Sequence, residues 1–145
     1  MLSMKAKYAL RALIMMSAQD KKLQARLIAE QADVPPKFLE TILAELKQHG
    51  LVDSKRGIFG GYFLARRPED IMVGDVVRLL DGSLAPLPCA SVHHYVKCDD
   101  CENEDTCVIR KIMIDVRNAV SNVLDTQNLR DLIQLSPKHS QFIFW

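Results

Sequence analysis

Residues 34–64 constrain the fold of this chain more than any other stretch. Pro35 and Pro36 open it, and their fixed φ suits the first turn of a helix. Gly50 stands where that helix would end, because glycine readily adopts the conformation that closes a helix. Between them, apolar residues recur on one face at helical spacing: Leu39, Ile42, Leu43 and Leu46. The pattern predicts an amphipathic helix.

Two short strand-like runs follow this helix, over residues 51–54 and 62–65. The turn between them is rich in glycine and is preceded by Lys55 and Arg56, so a basic β-hairpin is predicted. A helix followed by a basic hairpin is typical of a winged helix-turn-helix, whose helix enters a DNA groove while the hairpin, or wing, contacts the flanking backbone or minor groove. The alternative is a small helical domain with an incidental hairpin.

The remaining sequence is mostly helical in character. Apolar residues at helical spacing predict further helices over residues 5–18, 25–31, 71–82, 109–125 and 128–135. The fold class is therefore mainly α with a small β-hairpin. We predict three segments: a winged helix-turn-helix DNA-binding domain at residues 1–82, a cysteine-bearing loop at 83–108, and a dimerisation helix with its tail at 109–145.

The helix predicted over residues 109–125 carries the clearest apolar stripe in the chain. Its members alternate by three and four positions: Ile109, Ile112, Val116, Ala119 and Val123. Such a stripe packs either inward or against a second copy. We favour a homodimer through helix 109–125, because palindromic DNA sites are read by two-fold symmetric proteins. The apolar tail, residues 141–145, is expected to dock on the body or on a partner, or to be poorly ordered.

Composition favours a soluble protein with a modestly basic front half. Residues 1–72 carry 12 Lys or Arg and 8 Asp or Glu, whereas residues 73–145 carry 7 and 10, out of 19 and 18 in the whole chain. The bias fits phosphate contact by the first half but is too small to establish it. No apolar run approaches the length that spans a bilayer, and no signal peptide is recognisable, so no membrane contact and a cytoplasmic location are expected.

Seven residues are candidate DNA contacts: Lys37, Glu40, Thr41, Arg56, Gly57, Gly60 and Gly61. Lys37 and Thr41 could approach phosphates or base edges, and Glu40 could accept a hydrogen bond from a cytosine amine. Arg56 is expected to enter a groove or meet a phosphate, and the glycines let the wing turn and approach the duplex closely. The alternative for each charged residue is a solvated surface position.

All four cysteines lie within nineteen residues: Cys89, Cys98, Cys101 and Cys107. Clustered thiols in a cytoplasmic protein suggest a metal site, either zinc or an iron–sulfur centre. A redox pair is disfavoured, because no βαβ pattern surrounds the Cys98–Cys101 spacing. The five carboxylates of the same loop would raise thiol pKa values, which argues against a reactive nucleophile. The remaining alternative is an acidic loop with reduced, unliganded cysteines.

The chain also resembles the Rrf2 family of bacterial transcription regulators over nearly its whole length. The matching segments are Lys7-Tyr8-Ala9-Leu10-Arg11, Leu39-Glu40, Gly50-Leu51-Val52, the wing from Arg56 to Arg66, Ile71 to Val77, and Cys107-Val-Ile-Arg110. The resemblance implies a homodimeric winged-helix protein that binds an operator in double-stranded DNA. In many members an iron–sulfur cluster, [2Fe–2S] or [4Fe–4S], is held by three cysteines and a variable fourth ligand.

Carried over to this sequence, the resemblance assigns Cys89, Cys101 and Cys107 as cluster ligands. Some members use a histidine shortly after the last cysteine, where this chain has Arg110, and others use an acidic residue in the first helix, where it has Lys7. Our hypothesis is that the extra cysteine, Cys98, completes an all-cysteine site. Zinc as a structural metal remains the alternative cofactor.

Three functions follow from these residues and the resemblance. The leading one is a transcription regulator whose operator binding is modulated by the iron–sulfur cluster. The alternatives are a zinc-containing or cluster-free DNA-binding repressor and a regulator that acts through a metabolic-enzyme partner. Catalysis is not expected, because no phosphate-binding loop, nucleophile elbow or HExxH motif is present.

Overall fold

The computed structural model describes residues 2–135. Within that range the elements are α1 (Met4–Ser17), α2 (Ala25–Ala32), α3 (Pro36–Gln48), β1 (Val52–Lys55), β2 (Gly61–Leu64), α4 (Val73–Asp81), α5 (Val108–Leu124) and α6 (Leu129–Leu135). The predicted fold class, mainly α with a small hairpin, is confirmed. The predicted helices and strands agree with these bounds to within about two residues.

The three N-terminal helices form the core of the helix-turn-helix. Ser3 caps α1 by accepting a hydrogen bond from the Ala6 amide (3.0 Å), and α1 runs through the centre of the core. The turn between α2 and α3 places Asp33 in the left-handed region, with φ +53°. Aspartate tolerates this conformation better than most residues with a side chain, so the tight turn forms without glycine. Pro35 and Pro36 then begin α3 as predicted.

The hairpin continues directly from α3. The Leu51 amide donates to the Leu46 carbonyl (2.9 Å), and Gly50, at φ +74°, turns the chain between them. Strands β1 and β2 pair antiparallel, in a register that sets Val52 opposite Leu64 and Lys55 opposite Gly61. The predicted face of α3 is buried, since Leu39, Ile42, Leu43 and Leu46 all lie in the core. The wing is therefore held in a fixed position relative to α3.

The C-terminal helix α6 returns to the N-terminal core. Leu129 and Ile133 are buried there, and the Leu129 amide donates to the Ile71 carbonyl (3.0 Å). The Val73 amide likewise donates to the Gln127 carbonyl (2.9 Å). The division of the chain into segments at residues 82 and 108 remains a prediction. Leu129 and Ile133 of the third segment nevertheless lie in the same core as the helices of the first.

No helix in the described part of the chain has the length and apolar character needed to cross a membrane. The apolar tail at residues 141–145, expected to dock on the body or a partner or to be poorly ordered, lies outside the described residues.

Candidate nucleic-acid interface and cysteine loop

The outward face of α3 carries the predicted DNA-contacting residues. Lys37, Glu40 and Thr41 are all exposed, whereas the buried face of the helix consists of Leu39, Ile42, Leu43 and Leu46. Contacts with α1 fix the orientation of this helix: Lys5 Nζ lies 3.2 Å from the Glu45 carboxylate, and the Tyr8 and Phe38 rings stack with centroids 6.4 Å apart. The structure therefore places a polar, solvent-facing helix on a rigid support, as a recognition helix requires.

The wing is anchored at its base and exposed at its tip. Leu23, just before α2, bridges to Tyr62 through two hydrogen bonds of 2.9 and 2.7 Å. A Cβ at Gly61 would lie 2.7 Å from the Leu23 backbone, and one at Gly60 would lie 2.2 Å from the Lys55 carbonyl. Gly60 is thus required by packing within the wing, and Gly61 by packing of the wing against Leu23. Their contact with DNA remains a prediction, as does that of Gly57.

Positive charge on this surface is not neutralised by neighbouring acids. Lys37, Lys55 and Arg56 are exposed, and none of them forms a salt bridge with another described residue. Lys47 differs, because its Nζ binds Ser54 Oγ (2.7 Å) and lies 3.7 Å from Asp53, which ties α3 to β1. The unpaired cations are available to DNA phosphates, whose contacts position a protein on the duplex.

The four cysteines are less exposed than most of the loop that carries them. Cys89 lies in a short 3₁₀ turn, Pro88–Ala90, and is only 4% exposed. The neighbouring Cys89 thiol raises the pKa of the Cys98 thiol, and partial burial and the charge of Asp100 act in the same direction. The first of the predicted metal ligands therefore belongs to the protein interior.

The other two cysteines lie nearer to α5. The Cys101 amide donates to the Cys98 carbonyl (3.2 Å), which holds the two residues in one turn. Cys107 is the N-cap of α5, and its Sγ accepts a hydrogen bond from the Arg110 amide (3.4 Å). Any change that draws the Cys107 sulfur away from this position removes a cap from α5.

Two arginines of α5 bind the backbone of the cysteine loop. The sequence analysis did not predict this role. Arg110 Nε donates to the Cys89 carbonyl (3.0 Å), and Arg117 Nη1 donates to the Ala90 carbonyl (2.5 Å). Arg110 also lies 3.8 Å from the Glu104 carboxylate, whose hydrogen bond with the Tyr95 phenol raises the pKa of Tyr95 to about 12. Arg110 and Arg117 are seven residues apart, which places both on one face of α5. This spacing is the sequence signal that both could bind the same loop.

The four thiols have the right chemistry for an iron–sulfur cluster or for zinc, both of which thiolates bind. Within residues 2–135, however, no group of three or more Cys, His, Asp or Glu side chains is gathered closely enough to hold a metal ion. Cys89 is buried in its 3₁₀ turn, while Cys107 serves as a helix cap. Metal binding at this loop would therefore require the sulfurs to move together, as is common where binding is coupled to folding.

Helix α5 exposes the apolar stripe that the sequence predicted. None of its 17 residues is buried in the single chain. Five of its apolar side chains are between 39% and 67% exposed: Val108, Ile109, Ile112, Val116 and Val123. Contiguous apolar surface of this kind usually marks a protein interface.

These elements define a winged helix-turn-helix DNA-binding regulator. The family model of the Rrf2 iron-dependent transcriptional regulators matches residues 2–135, and the chain belongs to this family. It is 38% identical over 138 residues to an rrf2-like HTH-type transcriptional regulator of Rhodobacter capsulatus, covering 92% of each chain. The relatives are transcriptional regulators, so the expectation of a non-enzymatic protein is confirmed.

Two solved structures share this fold and its proportions. CymR, the global cysteine regulator of Bacillus subtilis, superposes with a TM-score of 0.76 at 30% identity, covering 94% of this chain and 98% of CymR. IscR of T. potens superposes with a TM-score of 0.73 at 31% identity, covering 92% and 86%. Rrf2 regulators bind DNA and are typically dimeric. The comparisons give no support to a metabolic-enzyme partner.

Proposed function

We propose that this Rrf2 regulator binds its operator as a cytoplasmic homodimer, and that an iron–sulfur cluster held by Cys89, Cys98, Cys101 and Cys107 modulates the binding. Helix α3 supplies base contacts through Glu40 and Thr41, with Lys37 on a phosphate or base edge. Arg56 directs the wing to a groove or phosphate. These assignments are supported by the exposure of all four side chains.

The observation that carries the proposal is the position of Cys107. The residue is both a candidate ligand and the N-cap of α5, the helix with the exposed apolar stripe. When bound, a cluster would supply iron cations whose positive charge offsets the negative charge of the four thiolates. Moving the Cys107 sulfur into the ligand set would remove the hydrogen bond from the Arg110 amide. The start of α5, and with it the spacing of two DNA-binding heads, would then depend on the state of the loop.

The dimer is proposed to form through the apolar stripe of α5. A stripe on a helix with no buried residue is expected to pack against its symmetry-related copy, since a two-fold axis pairs the same patch from each chain. Dimerisation through α5 also leaves the exposed cations of α3 and the wing available for contact with DNA.

The test begins with protein purified without oxygen. We expect a broad visible thiolate–iron band with matching iron and sulfide, and a change in operator affinity after the cluster is removed, measured by fluorescence anisotropy at two salt concentrations. Binding that weakens with salt reports phosphate contacts. Colourless protein that contains zinc would make the loop a structural zinc site. Colourless protein with neither metal after reconstitution would leave a cluster-free DNA-binding regulator.

A further inference from the structure

The tip of the wing carries two apolar side chains where polar ones are usual. Ile58 and Phe59 are 89% and 91% exposed. They are the central residues of a turn closed by the hydrogen bond from the Gly60 amide to the Gly57 carbonyl (3.0 Å). Such positions favour Gly, Asn, Asp, Ser or Pro, which suit turn backbone and solvent. A large apolar pair here breaks a local rule, and such departures cluster at functional sites.

The arm beneath this tip is built to hold it in place. Four residue pairs join β1 to β2, and the pair of hydrogen bonds between Leu23 and Tyr62 fixes the hairpin to the segment before α2. Leu23 is itself 2% exposed, so the anchor is part of the core. Ile58 and Phe59 therefore project from a supported hairpin rather than from a long loop.

Cations flank the tip on both sides. Lys55 and Arg56 precede the turn on the hairpin. Across an open groove, the segment before α2 contributes Lys21 and Lys22, and the first turn of α2 contributes Arg26. No acidic residue is among the groove's described lining residues. Asp20 is the nearest acidic residue in sequence to that group. An apolar tip between two basic edges is complementary to DNA, which presents stacked bases between two phosphate backbones.

We propose that Ile58 and Phe59 form an apolar wedge that inserts between neighbouring base pairs from the minor groove and kinks the operator. The inference rests on the DNA-binding function proposed above and adds the deformation of the DNA. When α3 occupies the major groove, the wing lies beside it, because only residues 49–51 separate α3 from β1. The wing then faces the adjacent minor groove or its phosphate backbone, and the proposal places its tip in the minor groove. Apolar side chains that unstack one base step are an established means of bending DNA.

The wedge implies a sequence preference at a position without base-edge hydrogen bonds. Pyrimidine–purine steps unstack most easily, so such a step is expected under the wing in each half-site. The cations on each side would hold the two backbones while the step opens. Substituting Ile58 or Phe59 would thus change bending and step preference, whereas removing Lys55 would weaken binding to all sequences.

The test uses the full chain and a duplex selected by the wild-type protein from a random pool. End-to-end energy transfer reports the bend, and 2-aminopurine placed at successive steps reports unstacking. We expect Phe59→Ala and the double variant Ile58→Ser/Phe59→Ser to lose the bend and the local 2-aminopurine signal, with affinity falling about tenfold, the effect of losing one buried aromatic contact. Val92→Ala, at another exposed apolar position, is the matched control and should bend DNA as the wild type does.

The possible outcomes distinguish failure of the wedge proposal from failure of the proposed DNA-binding function. A wild-type complex with straight DNA, or a double variant that still bends it, would overturn the wedge while leaving DNA binding intact. The wedge would also be wrong if the substitutions altered the oligomeric state by sedimentation but left bending unchanged, because the tip would then be a protein contact. Absence of salt-sensitive DNA binding by the wild-type chain would overturn the DNA-binding function. Unchanged thermal unfolding of the variants verifies that the fold is preserved.

Discussion

Arg78 on α4 and Asp125 at the end of α5 form a two-pronged ion pair, with Nη1–Oδ1 at 2.7 Å and Nη2–Oδ2 at 2.6 Å. The pair in this geometry leaves no room for a side chain at residue 74, because a Cβ at Gly74 would lie 1.9 Å from Asp125 Oδ1. The C-terminal end of α5 is thereby fixed to the DNA-binding core, while Arg110 and Arg117 bind the cysteine loop further back along the helix. One helix thus joins the core, the loop and the apolar stripe.

Replacing Arg78 by Met should lower the free energy of unfolding by at most about 1 kcal/mol, since both partners are partly exposed and screened by solvent. The hydrogen bond from Arg78 lowers the pKa of Asp125 in the folded protein. Its contribution is therefore present above the unfolded carboxyl pKa of about 3.9 and is lost as the pH falls through the lower folded value.

Urea unfolding of wild type and Arg78→Met, at neutral pH and at successively lower pH, measures this effect. The difference between the two proteins should shrink with acidity. Gly74→Ala should displace the Asp125 carboxylate and reduce the effect of Arg78→Met in the double variant. A difference that is constant across the acid range would contradict the assignment.

The turn of the helix-turn-helix offers a test of backbone strain. Asp33 adopts φ +53°, and its carbonyl accepts a hydrogen bond from Arg11 Nη1 (3.1 Å). Asp33→Ala should lower the free energy of unfolding by about 1–2 kcal/mol, because alanine pays the full left-handed cost. Asp33→Gly removes that cost and should be more stable than Asp33→Ala by thermal unfolding. Equal destabilisation by both substitutions would instead assign the loss to the aspartate side chain.

Dimerisation through α5 predicts that Ile112→Glu produces monomers. The side chain is 57% exposed in the single chain, so the substitution should leave the fold intact while placing a charge in the interface. Lys111→Glu, one position away on an exposed site, is the control. Sedimentation equilibrium should give a monomer mass for Ile112→Glu alone, with a parallel loss of operator affinity. A dimeric Ile112→Glu protein would place the interface elsewhere.

An all-cysteine cluster predicts that Cys98→Ser purified without oxygen loses most of its visible absorbance and bound iron. The reason is that no histidine occupies the position of the fourth ligand, where Arg110 instead binds the Cys89 carbonyl. His93→Ala tests an exposed residue of the same loop that is outside the proposed ligand set. A full-strength spectrum in Cys98→Ser would remove Cys98 from the site.

Substitutions on α3 should distinguish base-specific contacts from general contacts with the DNA backbone. Glu40→Ala is expected to relax selectivity at one base pair by about 1–3 kcal/mol, because a carboxylate that accepts from cytosine reads base identity. Lys37→Ala should weaken binding to all sequences and reduce the salt slope by about one if it contacts a phosphate. Competition against randomised duplexes measures the first effect, and a salt titration measures the second. Unaltered selectivity in Glu40→Ala would make that residue a solvated surface position.

Local patterns in the sequence determined the helices, the hairpin and the inward face of α3. Leu39, Ile42, Leu43 and Leu46 recur at helical spacing, and proline and glycine mark the ends of that helix, so nearest-neighbour rules suffice. The stripe of α5 was readable for the same reason. The cysteine spacing gave the chemistry of a candidate site but not its geometry.

Only the tertiary structure decided how these parts meet. The return of α6 to the core, the burial of Cys89 and the Arg78–Asp125 pair join residues far apart in sequence, and the last spans 47 positions. Such contacts depend on the summed burial and shape of several helices, which no local period encodes. For Ile58 and Phe59 the sequence already indicated a position in the turn of the hairpin, and the structure adds that both side chains are almost fully exposed there.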